Sequence, residues 1–290
     1  ENHNLPPTAL TKTELARKLG VSRASLYYHH KRPALDAEIK QQIEVVLTDH
    51  PSYGHKCIAL ELKLNKKRIL RVMKKFGIKP YRRRVRRPAK PNDLGKPPVS
   101  VPNVTKTLCP IAPFVVYVSD FTYIRYQERF IYLATVMEMF TREIVGWNVS
   151  RYHNKALVIG ALTDAMKRTG GKAPQYIHSD QGSEYDAEDY MMIAKAYGIT
   201  ISMSDKHSPW QNAFQESFYS HFKVDLGDPE RFQTLPEFIE AIHQQITEYN
   251  TNRIHTVLKT TPQQFRTRWE LRQRTSASAF RKQGTVFSNR

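Results

Sequence analysis

The chain changes character once, sharply, near residue 113. Residues 80–113 hold eight of the 17 prolines: Pro80, Pro88, Pro91, Pro97, Pro98, Pro102, Pro110 and Pro113. Proline fixes φ and withholds a backbone donor, so neither helix nor sheet persists through such a run. The segment reads as a linker, and the chain on either side must fold as separate units. Beyond it the pattern turns strand-rich. FVVYVSDFTYI (114–124) is β-branched and aromatic, as a buried strand is. FIYLATVMEMF (130–140) and REIVGWNVS (142–150) follow across short polar turns, which predicts three antiparallel strands. NKALVIGALTDAMKRTG (154–170) is a helix with Leu157, Ala161, Leu162 and Ala165 on one face. QYIHSD (175–180) is a strand, AEDYMMIAKAYG (187–198) a helix, ITISMS (199–204) a strand and QNAFQESFYSHFKVDLG (211–227) a helix. Three strands followed by alternating helices and strands predict an α/β fold, a mixed sheet with flanking helices.

The part before the linker is helical and basic. In residues 1–34, Leu15, Ala16 and Leu19 recur at helical spacing, Gly20 breaks the helix, and Ser22 can cap a second one running from Arg23 to about His30. Two short helices across a glycine turn predict a helix-turn-helix, whose second helix would turn Arg23, Ser25 and Tyr28 toward a DNA major groove. Residues 35–79 read as a second helical DNA-binding unit. Its first helix, 35–48, carries Ile39, Ile43, Val46 and Leu47. Ile58, Leu60, Leu62 and Leu64 then precede another helix with Ile69, Val72, Met73 and Phe76 as its apolar stripe. Lys67, Arg68 and Arg71 lie on the polar side of that last helix as candidate DNA contacts. At the head of the linker, Arg82, Arg83, Arg84, Arg86 and Arg87 form an extended basic strap of the kind that tracks a phosphate backbone. The domain reading is therefore 1–34, 35–79, a linker over 80–112, an α/β block over 113–227, and a helical segment and tail over 228–290.

Charge supports that division. Lys and Arg number 45 against 27 Asp and Glu, a net charge of +18. Residues 1–110 hold 24 basic and 8 acidic residues, whereas 111–226 hold 11 and 13. A basic arm joined to a nearly neutral block points to a polyanionic partner, nucleic acid first. Cys57 and Cys109 are the only cysteines, too few for a disulfide framework, which fits a reducing, cytoplasmic setting. No apolar run approaches the length of a membrane helix, and no charged-then-apolar leader precedes the first unit, so no membrane partner is expected. The chain opens on Glu1 rather than Met, which leaves room for a segment upstream.

Three acids fall where a stray charge would be costly. Asp120 lies in the first strand on the face of Val116 and Val118, Asp180 just past the fourth strand, and Glu216 within a helix. At about 100° per residue, Asn212, Glu216, Tyr219, Ser220 and Lys223 share one side of that helix, with Phe214, Phe218 and Phe222 roughly opposite to pack on the sheet. Lys223, two turns beyond Glu216, could hold a phosphate. A salt bridge would satisfy any one of these acids, but three converging from two strand ends and a helix suit a site for two divalent ions. Mg²⁺ fits an all-oxygen donor set, with Mn²⁺ as a substitute. His178 and His207 lack zinc spacing, and no phosphate-binding glycine loop or nucleophile elbow is present.

Between Asp180 and Glu216 lie 35 residues, and a basic residue stands seven beyond the Glu. That spacing resembles the signature of retroviral integrases and related transposases. VSDFTYI (118–124), HSDQGSEY (178–185), SPWQNAFQESF (208–218) and Lys223 resemble, more narrowly, the insertion-sequence-three family of bacterial transposases. So does YNTNRIHTVLKTTPQQF (249–265), and so does the front half with its SYGHKCIALEL stretch, which is similar to the product of that family's second reading frame. The resemblance covers roughly residues 10–265. It implies a ribonuclease-H-like core in which Asp120, Asp180 and Glu216 bind two Mg²⁺ ions. It implies cleavage at element ends to a 3′-hydroxyl that attacks target DNA, in a homo-oligomer that pairs two ends, at the bacterial nucleoid. Asn212 and Lys223 would contact the DNA beside the acids. Tyr249, Asn250, Arg253 and His255 are motif residues without an assigned role. The chain departs from retroviral integrases in lacking the cysteines of their zinc module, and from many family members in having Gln211 where an Asp often stands. It also shows no sustained heptad pattern. Two other functions remain open on the residues alone: a DNA-binding regulator without catalysis, and a nuclease that hydrolyses without joining.

Overall fold

A computed structural model of the chain describes residues 10–27, 32–82, 101–205 and 213–284, with side chains through 276. Tyr28, Arg83, Arg84, Arg86, Arg87 and Asn212 lie outside the described residues. Helix α1 (Lys12–Lys18) starts with a capping box: Glu14 N donates to Thr11 Oγ1, and Thr11 N donates back to the Glu14 carboxylate at 2.9 Å. Gly20, at φ +62°, turns the chain away. The α-helix expected to begin at Arg23 is instead a 3₁₀ turn, Arg23–Tyr27. Ser22 Oγ accepts from Ser25 N at 3.2 Å and meets Ser25 Oγ at 2.8 Å, an i to i+3 pattern. Leu19 and Val21 beside it remain exposed, so no buried stripe draws out a longer helix.

Helices α2 (Arg32–Asp49), α3 (His55–Glu61) and α4 (Lys66–Lys75) close around Ile43, Ile58, Ile69 and Val72, all fully buried. The division expected at 34/35 therefore cuts the first turn of α2. Asp36 is buried in this unit and accepts two bonds from Arg71, at 2.8 and 2.5 Å, and one from Lys75 at 2.9 Å. Those cations hold the Asp36 carboxyl well below the usual carboxylate range. Arg71, expected to face DNA, is thus committed to tying α4 to α2.

The second unit is a five-stranded sheet in the order β3-β2-β1-β4-β5, made of β1 (Val116–Tyr126), β2 (Arg129–Glu138), β3 (Ile144–Ser150), β4 (Tyr176–Ser179) and β5 (Thr200–Met203). The first three strands pair antiparallel, whereas β4 runs parallel to β1 and β5 parallel to β4. Helices α5 (Lys155–Arg168) and α6 (Glu188–Ala196) supply the crossovers and cover one face, where Leu157, Ala161 and Leu162 pack on Tyr117, Ala134 and Val136. Helices α7 (Ala213–Leu226) and α8 (Leu235–Thr251) cover the other, where Phe218, Phe222, Phe238 and Ile242 pack on Ile124, Leu133 and Met137. The alternation along β2, Ala134 and Val136 to one side and Leu133 and Met137 to the other, is the strand period written into two cores. This is the ribonuclease-H-like arrangement. The boundary expected at 227/228 does not separate two cores, because α8 completes the one beneath α7. Helix α9 (Pro262–Gly284) follows, anchored by Phe265 against Phe140 and by Arg266 on Glu143 at 2.8 Å.

The 249–265 motif joins the two units. Asn250 accepts from the Ile144 N–H and donates to the Ile144 carbonyl, each at 2.9 Å, and so pins the start of β3. Arg253 is buried, pairs with Asp225 at the end of α7, and donates to Ser52 Oγ of the helical unit at 2.8 Å. The Ile254 N–H donates to Tyr53 Oη at 2.6 Å.

Gly146 of β3 is where helix α5 comes closest. A Cβ there would lie 2.4 Å from Ala165 N and 2.5 Å from the Ala161 carbonyl oxygen, both backbone atoms that cannot give way singly. Gly146→Ala should therefore lift α5 off the sheet and cost about 1–3 kcal/mol. Urea denaturation should show a lower midpoint with an unchanged slope.

Candidate active site

Strand register decides where the first two acids stand. Val118 of β1 pairs in parallel with His178 of β4. Two residues further along lie Asp120, within β1, and Asp180, one residue past the end of β4, so continuing the register would bring them to one face. Parallel neighbours run about 4.8 Å apart, and Asp180 lies within electrostatic reach of Asp120. Asp180 follows the last residue of β4, at the carboxyl end of the parallel pair, where α/β sheets open to ligands. Both carboxylates are half-buried, on the face that α7 covers.

Helix α7 is fastened to β1 by two buried polar side chains. Gln215 Nε2 donates to the Val118 carbonyl at 2.7 Å, and Tyr219 Oη donates to the Asp120 carbonyl at 2.6 Å. Thr135 Oγ1 of β2 meets both, at 3.0 Å from Gln215 Oε1 and 2.8 Å from Tyr219 Oη. Glu216 sits between these two fasteners on the exposed side of the helix, so its height above β1 is set by them. Tyr219, expected beside Glu216, instead faces the sheet and is buried. Phe214, expected on the sheet, is half-buried under the Arg142 guanidinium, 3.6 Å from its ring.

The electrostatics tie the three acids and Lys223 together. Burial raises Asp120 well above the ordinary carboxylate pKa, and the negative charges of Asp180 and Glu216 push it further, while the Phe121 N–H and Lys223 oppose them. Lys223 Nζ also lies 5.1 Å from the Tyr123 ring. Asp180 is raised by burial and by Glu184, against the opposing Gly182 N–H and His153. Glu184 itself is buried and bonded to His153 Nε2 at 3.1 Å. Gly182 separates these carboxylates, and a Cβ on it would come within 3.0 Å of both Asp180 Oδ1 and Glu184 Oε2. Gln215, Tyr219, Glu184 and His153 were not singled out by motif spacing for these roles. The cue for Glu184 was present in the string Asp-Gln-Gly-Ser-Glu.

Asp120, Asp180 and Glu216 offer only carboxylate oxygens, the set a hard divalent cation takes. The set is open rather than closed. Among the described residues no three His, Cys, Asp or Glu side chains stand close enough to hold an ion, and Glu216 is the exposed member. Of the expected DNA contacts, Arg23, Ser25, Lys67 and Arg82 lie in the helical unit and its exit, well removed in sequence from the acids. Arg23, Ser25, Lys67 and Arg82 are exposed and Arg68 is half-buried. Among the described residues no helix is long and apolar enough to cross a membrane.

Comparison with known proteins follows the same lines. Two integrase core domain models match, over residues 111–209 and 197–262. The transposase for insertion sequence element IS904 of Lactococcus lactis is 32% identical over 79% of this chain and 94% of its own length. A 31 kDa protein of insertion element IS600 from Shigella sonnei is 32% identical over 84% of this chain and 94% of its own. Among solved structures, the HTLV-2 integrase catalytic core domain in complex with magnesium aligns with 54% of this chain and 98% of its own, at 16% identity and a TM-score of 0.45.

Raised carboxylates carry a sign. For Asp120 the folded-state pKa lies above the unfolded one, so its contribution to stability is greatest at low pH and is lost as pH rises through the folded value. In chelator, stability should therefore fall as pH climbs above the ordinary carboxylate range. Asp120→Asn should melt several degrees higher than the parent at neutral pH, with the difference vanishing in acid. Thermal melts across pH would measure both.

Proposed function

The chain belongs to the insertion-sequence-three family of integrase-core transposases, and from that membership we propose that Asp120, Asp180 and Glu216 are the metal ligands of its catalytic site. The observation that carries the reading is the pairing of Val118 with His178, which sets Asp120 and Asp180 at matching positions, beneath a helix that presents Glu216. Two Mg²⁺ ions, or Mn²⁺ in their place, would activate the attacking oxygen and stabilise the leaving one. The protein's own part is positional. Gln215 and Tyr219 fix the height of α7 over β1. Gly182 keeps the Asp180 and Glu184 carboxylates apart, and the Glu184–His153 pair bounds the site on that side. Lys223, within electrostatic reach of Asp120, would hold a phosphate of the strand being cut.

The reaction we propose is cleavage at the ends of a bacterial insertion sequence to give a 3′-hydroxyl, followed by its attack on a target phosphodiester. Both partners are double-stranded DNA. Because two ends must meet, the working form is a homo-oligomer on paired ends, acting at the nucleoid. The basic helical unit would provide the first grip on DNA, with Arg23, Lys67 and Arg68 on its surface.

A single substitution separates this from the two competing readings. With labelled element-end duplex and Mg²⁺, the parent should nick and join strands. Asp180→Ala should bind the same duplex within about threefold of the parent, since phosphate contacts by basic residues carry the affinity. Its joined product should fall to background. Joining by Asp180→Ala would refute the assignment. Binding without cleavage by the parent would make the protein a regulator, and nicks without joints would make it a nuclease.

A further inference from the structure

Behind α7, on the side away from Glu216, lies a cavity of about 380 Å³ at the junction of the helical unit and the sheet unit. On α7 its lining is Phe214, Ser217, Phe218 and His221. At 100° per residue that stripe is centred about 150° from the one bearing Glu216, Ser220 and Lys223. The rest of the wall combines two segments the catalytic reading leaves unexplained: Ser52 and Gly54–Cys57 from the SYGHKC stretch, and Tyr249 and Arg253–Thr256 from the 249–265 motif.

The formal charges of the wall are all of one sign. Arg82, Arg142 and Arg253 line it with Lys56, and His55, His221 and His255 join them, while no Asp or Glu does. Arg253 is already paired with Asp225. Arg142 is not so placed: among the described residues its Nε and Nη1 are buried without a hydrogen-bond partner, and its guanidinium plane rests on Phe214. A buried charged donor without a protein partner is costly, and a bound anion is one group that would satisfy such a guanidinium. The positive charge of the wall therefore rests on the arginines and Lys56, because two of its imidazoles are held neutral. Burial pushes His221 down to about 4, helped by Arg253, Arg82 and His255, and burial pushes His255 to about 4, helped by Arg142 and Arg253. A cavity lined by Arg82, Arg142, Arg253 and Lys56, with no carboxylate in its wall, is complementary to an oxyanion.

We propose that this cavity is a phosphate-binding site, distinct from the carboxylate site, in which Arg142 and Arg82 grip one phosphate group. The phosphate can come from a DNA strand crossing the junction of the two units or from free phosphate. The assignment does not rest on the metal-ligand reading, since its test measures binding and leaves all three acids intact.

The test uses the whole chain at constant ionic strength, in chelator. Thermal melts are followed with added inorganic phosphate for the parent, Arg142→Gln, Arg82→Gln and, as a control for lost charge elsewhere, Lys195→Gln on α6. Phosphate should raise the melting temperature of the parent and of Lys195→Gln, and the rise should be lost in the two cavity variants. In a second arm, each protein binds a labelled duplex across a salt series. If the occupant is a DNA phosphodiester, the salt slope should drop by about 0.9 in the cavity variants, one phosphate contact, and affinity should fall about fivefold or more. An unchanged slope with a lost phosphate response would assign the site to free phosphate. The proposal is overturned if both cavity variants match Lys195→Gln in both arms. Arg82 is exposed, so Arg82→Gln decides the matter even if Arg142→Gln does not fold.

Discussion

The parallel pairing of β1 with β4 is the constraint on which the rest depends. A strand alternates its side chains between faces, so a slip of one residue between these strands would send Asp120 and Asp180 to opposite sides of the sheet. The register is held from both sides. Tyr117 and Ile177 are locked into the core under α5, and His178 is bonded to Ser202 on β5 at 2.9 Å. The antiparallel strands β1 and β2 pair along ten residues and add stiffness where the parallel pair is short. The cost of bringing Asp180 within reach of a buried Asp120 is met by this surrounding order, and the raised Asp120 is its residue.

The same logic explains why α7 is attached by polar groups in a largely apolar layer. Phenylalanines at 218 and 222 would hold the helix to the sheet but allow it to slide or rotate. Gln215 and Tyr219 each reach a named carbonyl, and a misplaced helix would leave buried donors unpaired. Specific hydrogen bonds thus fix position where packing alone would fix only proximity.

Much of this was legible in the sequence, and the failures have physical causes. The five strands of the sheet unit and its helices α5, α6 and α7 follow from hydrophobic period, because both faces of the sheet are buried and the signal is strong, whereas α8 lies in a stretch read only as a helical segment and tail. The faces of α7 were misread because polarity stood in for exposure: Gln215 and Tyr219 are polar and yet buried, satisfied by strand carbonyls that no local pattern reveals. The 3₁₀ turn at Arg23–Tyr27 was read as a helix because Ser22 makes an equally good cap for either, and only the missing apolar contact decides. Helix α3 escapes the sequence reading because Ile58, Leu60, Leu62 and Leu64 alternate as a strand would, and short apolar runs are ambiguous between the two periods. The domain limits at 34/35 and 227/228 follow the ends of elements read along the sequence, which say nothing about which core a helix joins. The Asp36–Arg71 pair and the Arg253–Asp225 pair bring together residues 35 and 28 positions apart, beyond any local rule.

The anchor at Arg253 has a mechanical meaning. It grips Asp225, near the last turn of the 14-residue helix that presents Glu216 nine residues earlier. At 1.5 Å per residue the two points are about 13.5 Å apart on one stiff rod. The rod is gripped at its far end by the unit that carries Ser52 and Tyr53, and at its near end by the strand that carries Asp120. Torque applied to the helical unit has a path through Ser52 and Arg253 to Asp225. It reaches the third acid along α7, so the placement of that acid and the posture of the N-terminal unit are one mechanical variable.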